Sequence, residues 1–198
     1  MTFHTGRRAF MLTGTAALAG LAVPMPAFAV TPAAARSMVD GLVAEVNQVI
    51  ASGVSEGAMY RRFEQIFDRY ADVSTIALYT LGSDARRTSQ QQRQRFVAAF
   101  RTYIARKYGS RFREFIGGQI IVRDARTVNN YVEVETTAML RGEDPFRVDF
   151  HVSDRSGRNA FFNIIIEGVN MLLSERTEIG AMLDRRGGNI DALISDLN

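Results

Sequence analysis

The 198-residue chain contains no cysteine. That absence excludes disulfides, thiolate metal sites, a cysteine nucleophile and a lipid-modified cysteine of the lipoprotein kind. Histidine is almost as scarce, and beyond residue 29 the sole one is His151. In the segment FRVDFHV, alternation puts Phe146, Val148, Phe150 and Val152 on one face and Arg147, Asp149 and His151 on the other. His151 therefore reads as a solvated residue beside Asp149, with no serine nucleophile motif to serve. No metal-ligand spacing occurs in the chain. A large net charge is also missing. The formal value is +3, of which Arg7 and Arg8 supply two units, so nothing in it points to nucleic acid. With 46% hydrophobic and 23% charged residues the composition is that of a globular domain and excludes a disordered chain.

A membrane-length apolar run is absent too. The longest stretch, from Ala9 to Val23, is shorter than the ~20 residues a span needs and is followed by Pro24 and Pro26. Preceded by Arg7-Arg8 and followed by Ala27-Phe28-Ala29, it reads as a cleaved export signal over residues 1–29, leaving one domain over 30–198 in the periplasm. The arginine pair with Phe10 resembles the twin-arginine signal, with Gly6 in place of the usual Ser or Thr.

The mature chain opens helical. Thr31 with Pro32 starts a helix whose apolar face is Val39, Leu42, Val43, Val46, Val49 and Ile50. Ser55 opens a second, with Met59, Phe63, Ile66, Phe67 and Tyr70 inward, and Asp72 caps a third that Gly82 closes. After a polar loop, Ser89 and Gln92 form a capping box for a long helix to Tyr108, with Phe96, Val97, Phe100, Tyr103 and Ile104 inward. Residues 110–116 read as a further helical turn exposing Arg111 and Arg113.

The period then changes from 3.6 to 2, predicting strands over 119–128, 131–140, 146–152 and 158–166 joined by turns short enough to require an antiparallel meander. In the second of these, Val132, Val134, Ala138 and Leu140 lie opposite Tyr131, Glu133 and Glu135. The bulky run from Ala160 to Ile166 predicts a central strand. Past Gly168, Val169, Leu172, Leu173, Ile179 and Leu183 follow at helical spacing, with Glu175, Arg176 and Glu178 on the surface. Asn189 caps a last helix. The fold class is α+β, with helices packed on a twisted four-stranded antiparallel sheet.

Polar groups for catalysis are few. An isomerase of the ketosteroid kind would need an acidic base and oxyanion donors inside an apolar pocket, and Asn163, Glu167 or Tyr103 are the groups that could supply them. Arg86, Arg87, Arg93, Arg95, Arg101, Arg106, Lys107, Arg111 and Arg113 read as a solvated helix face or as a contact for anionic head groups or an acidic partner. The apolar inventory fits a packed core and a lipid pocket equally.

Two stretches, FDRYADVSTIALYTLGSDARRTSQQQRQRFVAAFRTYIARKYGSRF and GRNAFFNIIIEGVNMLLSERTEIGAML, resemble the periplasmic phospholipid-binding proteins of the Mla lipid-asymmetry system, also called toluene-tolerance auxiliary proteins. The family's pattern stands here as Asp72, Val73, Ile76, Ala77, Leu81 and Gly82, and then as Glu167, Gly168, Val169 and Arg176. The chain departs from it at Asp84-Ala85-Arg86, Phe162-Asn163 and Asn170. The resemblance implies a carrier, not an enzyme, with no cofactor and with glycerophospholipid as cargo. A hopanoid or other polycyclic lipid is the alternative cargo, and a purely structural adaptor the alternative role. It implies as partners an outer-membrane lipoprotein complex and an inner-membrane ABC transporter with its membrane-anchored substrate-binding subunit, the lipid moving between them to maintain outer-membrane asymmetry. The pocket it implies would lie between helices and sheet, lined by Phe100, Tyr103, Ile104, Val132, Val134, Phe146, Val148, Phe150, Val152, Ile164, Ile166, Val169, Leu172 and Leu173.

Overall fold

The computed structural model describes residues 30–109 and 118–198. The export signal and the turn with Arg111 and Arg113 lie outside the described residues.

Local capping chemistry sets the helical boundaries. Helix α1, Pro32–Ala51, starts where the Thr31 side chain accepts from the Ala34 amide at 3.2 Å. Helix α2 is Glu56–Tyr70, and α3, Val73–Thr80, is capped by Asp72, whose carboxylate accepts from the Thr75 amide at 3.1 Å. Gly82–Arg87, predicted as a loop, forms a 3₁₀ helix. Before α4, Gln90–Gly109, the capping box closes reciprocally: the Ser89 hydroxyl accepts from the Gln92 amide (3.1 Å) and the Gln92 side chain from the Ser89 amide (3.0 Å).

The sheet holds five strands where the sequence predicts four. β1 (Gln119–Val128), β2 (Tyr131–Met139), β3 (Phe146–Ser153), β4 (Ala160–Ile166) and β5 (Val169–Asn170) lie in chain order, each antiparallel to the next. Glu167 and Gly168 both take positive φ (47° and 79°), forming a two-residue turn that pairs Ile166 with Val169. Val169 thus belongs to a hairpin, and α5, Met171–Arg185, begins after Asn170 has accepted from the Leu173 amide at 3.1 Å. β4 is consequently next to the edge and not central. Its outer side is closed at one end by β5 and at the other by Ala71, with the Asp72 amide donating to the Phe161 carbonyl at 2.8 Å. Helix α6 is Ile190–Leu197.

Strand alternation holds: Val132, Val134, Thr136 and Ala138 of β2 and Val148, Phe150 and Val152 of β3 are buried on one face. Thr136 is tolerated there because its hydroxyl donates to the Val148 carbonyl at 2.8 Å. On that face α1 lies across β1 and β2, while α5 and α3 rest on β4; α4 packs between α2 and α6. Among the described residues no helix is long and apolar enough to cross a membrane.

Candidate functional site: an apolar cavity between helices and sheet

With α1 seated on β1 and β2 and α5 on β4, the inner surface between them is roofed and not filled. A cavity of about 650 Å³ remains there, in the range of roughly 300–1,000 Å³ usual for ligand pockets. Phe146, Val148 and Phe150 of β3 and Phe161, Ile164 and Ile166 of β4 form its sheet side. Leu42, Val43 and Val46 of α1, Phe63, Ile66 and Phe67 of α2, Ile76 of α3, Ile104 and Tyr108 of α4, and Met171, Leu172 and Glu175 of α5 form its helical side. Val169, 54% exposed on the β4–β5 hairpin, also borders the cavity and connects it to the surface.

Of the lining expected from the sequence, Ile104, Phe146, Val148, Phe150, Ile164, Ile166, Val169 and Leu172 stand on this wall. Phe100 does not: it lies one turn before Ile104 on the same stripe of α4, fully buried in the core beyond the cavity, its ring 5.9 Å from that of Phe96. Tyr103 instead donates its hydroxyl to Glu178. Val132, Val134 and Val152 share the correct face but are closed off by close packing, each with no exposed surface. Leu173 is 49% exposed and sits on the outer side of α5. The sequence does not mark the contributions of α1 and α2. Their apolar faces read as core, and helical periodicity carries no signal for which part of a buried face meets a void.

One wall is polar. Glu175, expected on the surface, is only 4% exposed. Its Oε1 accepts from Lys107 Nζ at 2.7 Å and from the Tyr108 hydroxyl, and Lys107 Nζ donates also to Glu178 Oε2 at 2.5 Å. Burial first and the bond to Glu175 second push the Tyr108 phenol up, and burial with Glu178 does the same for Tyr103. For Lys107, burial acts to lower the pKa, but the bonds to the two carboxylates outweigh it and raise it. Both phenols therefore stay protonated and Lys107 charged at neutral pH. Asn163 and Glu167 also border the cavity, Glu167 accepting from the Arg147 amide. The polar groups available to the cavity thus include Glu175, which the sequence did not single out, and not Tyr103.

The MlaC protein family model matches residues 36–198, most of the chain. The chain belongs to the MlaC family. The MlaC fold is shared by a solved structure of a phospholipid-binding protein from Ralstonia solanacearum in complex with a phospholipid. That match has a TM-score of 0.68 at 18% identity and covers 85% of this chain and 95% of the other.

Several residues that carry the MlaC resemblance are scaffold. Asp72 caps α3. Gly82 has φ 57°, and a Cβ there would meet Arg176 Nη2 at 2.9 Å, while the Arg176 guanidinium lies 5.0 Å over the Tyr79 ring. Gly168 makes the hairpin turn. Within the basic stretch Arg87 pairs with Asp84, Arg95 with Asp191, Arg101 with Asp68 (3.0 Å) and Lys107 with Glu175 and Glu178, while Arg111 and Arg113 lie outside the described residues.

The opposite face of the sheet corrects the reading of His151. It points away from the cavity, as alternation requires, but its side chain is only 12% exposed, with its ring 4.5 Å from Tyr131 and Nε2 3.6 Å from Glu133. Burial holds its pKa below the ordinary 6.5 against the opposing pull of Glu133 and Asp149. The unfolded chain therefore takes up the proton first, so the stability present above this value should be lost as pH falls through it. Urea midpoints at about pH 7.5 and about pH 5.5 should show that loss, and His151→Gln should flatten it. A variant with the wild-type slope would assign the loss to other groups. Among the described residues no cluster of three or more His, Asp or Glu is placed to hold a metal.

Proposed function

We propose that this protein is a periplasmic lipid carrier that holds the acyl chains of a glycerophospholipid in the cavity. In this reading residues 1–29 are removed on export and 30–198 form the single lipid-binding domain. The carrier receives and delivers lipid between an outer-membrane lipoprotein complex and an inner-membrane ABC transporter with its anchored substrate-binding subunit, which maintains outer-membrane asymmetry. The supporting observation is a roofed cavity of about 650 Å³ with a wall of aliphatic and aromatic side chains that reaches the surface at Val169. The phospholipid bound by the Ralstonia protein of the same fold supports the same choice of cargo.

The energetics suit a shuttle. Each methylene withdrawn from water contributes about 0.8 kcal/mol, so a dozen give about 10 kcal/mol, but a bilayer offers nearly the same gain. Transfer is close to balanced and needs no chemistry from the protein; the membrane complexes set its direction. Incubating the lipid-loaded protein with acceptor vesicles should move fluorescent phospholipid into them at a rate proportional to protein concentration. Retention of the lipid on the protein, or a rate equal to that without protein, would argue for a structural adaptor instead.

A further inference from the structure

We propose that a proton on His151, on the outer face of the sheet, loosens the mouth of the cavity by drawing the Asn163 carboxamide oxygen away from the first turn of α5. The inference rests on the lipid-carrier reading above and concerns the regulation of that cavity. Asn163 of β4 is 6% exposed and is paired across the strands with His151 of β3. Its Oδ1 accepts from the Ile164 amide at 2.8 Å and from the Leu172 amide at 3.1 Å. Both amides can only donate, so the carboxamide oxygen faces them, and Nδ2 is left facing His151 Nδ1 at 3.4 Å. Leu172 is the second residue of α5, where backbone amides have no partner within the helix, and it stands on the cavity wall. Asn163 thus ties the start of α5 to the sheet, three residues past Val169, where the cavity reaches the surface.

The neutral ring fits this arrangement and the charged ring does not. His151 Nε2 lies 3.6 Å from a Glu133 oxygen, which favours the tautomer with its proton on Nε2 and leaves Nδ1 to accept from Asn163. A second proton turns Nδ1 into a donor facing a donor. The contact is restored when the carboxamide turns over, and its single oxygen then no longer serves Leu172. The same proton strengthens the pull of Glu133 on the ring. Around His151 stand Tyr131 and Glu133 of β2, Asp149 of its own strand and Phe162 of β4, while Arg126 and Arg147 pair with Glu133. At 12% exposure the ring is within reach of solvent protons, and burial keeps it neutral at about pH 7.5. A negatively charged membrane surface gathers protons, which favours unloading where lipid is delivered.

The protein would be loaded with fluorescent phospholipid and its release followed into phosphatidylcholine vesicles at about pH 7.5 and about pH 5, either side of the ordinary histidine value. Wild type should release about fivefold faster at the lower pH, the size of one neutral hydrogen bond. His151→Gln, which offers Asn163 an acceptor that does not titrate, should release slowly at both. Asn163→Ala, with no oxygen for the Leu172 amide, should release fast at both. Hydrogen exchange at the Leu172 amide, corrected for the chemical rate, should follow the same pattern, protection falling at the lower pH in wild type and persisting in His151→Gln. Equal wild-type release at the two pH values would overturn the proposal, as would a pH step that survives in either variant or unchanged Leu172 protection in wild type. Wild type and His151→Gln alone decide the matter if Asn163→Ala does not fold. No release at either pH from protein that holds lipid would instead remove the carrier reading itself, and this inference with it.

Discussion

Val148→Trp should empty the cavity of lipid and leave the empty fold standing. Val148 projects inward from β3, is paired with Ile166 across the strands, and borders the cavity with Phe150 and Ile164. An indole there occupies volume that acyl chains would fill, so lipid recovered per mole of protein should fall several-fold. In a close-packed core the same enlargement would cost about 1–3 kcal/mol. Here the ring has space to enter, and the unfolding free energy of the delipidated variant should stay within about 1 kcal/mol of wild type, near the lower bound of that overpacking cost. The reverse pattern, full lipid content with clear destabilisation, would mean that this strand faces packed protein.

Phe100→Ala should do the opposite. Phe100 is fully buried against Phe96, one turn along α4 from Ile104 and past the end of the cavity. Removing its ring leaves a hole with no ligand to fill it, a loss of about 3–5 kcal/mol. Against a total stability of about 5–15 kcal/mol this is the largest single-residue effect expected here. Urea unfolding should show that loss, while the folded protein keeps its lipid stoichiometry. A Phe100→Ala variant of unchanged stability and altered lipid content would return Phe100 to the cavity wall. Together the two substitutions separate void from core by measurements that move in opposite directions.

This contrast also marks what could be read from the sequence. The caps at Thr31, Asp72, Ser89 and Asn189 were legible because each is a contact within three residues of its own position. The inward faces of β2 and β3 were legible because side-chain alternation is a property of the strand itself. Which inward residues meet a void depends on where α1 and α5 come to rest, and that is not encoded locally. Val132, Val134 and Val148 share a face, yet only Val148 borders the cavity. The β5 strand was hidden by its two-residue length and by a Glu-Gly turn in place of the usual Asn-Gly, so Val169 fitted a helical pattern equally well. Helical periodicity assigns Glu175 to the surface because charge on an amphipathic helix usually lies there. Its burial is made tolerable by Lys107 and Tyr108, which are 68 and 67 residues away in the chain.

The central claim, that the cavity is an acyl-chain site, is tested most directly by extracting protein purified under native conditions with organic solvent and identifying what it releases by mass spectrometry. The account predicts a glycerophospholipid in near-stoichiometric amount, lost from Val148→Trp and kept by Phe100→Ala. A polycyclic lipid in its place would replace the cargo, and an extract free of apolar molecules from protein that also fails to load from vesicles would contradict the account.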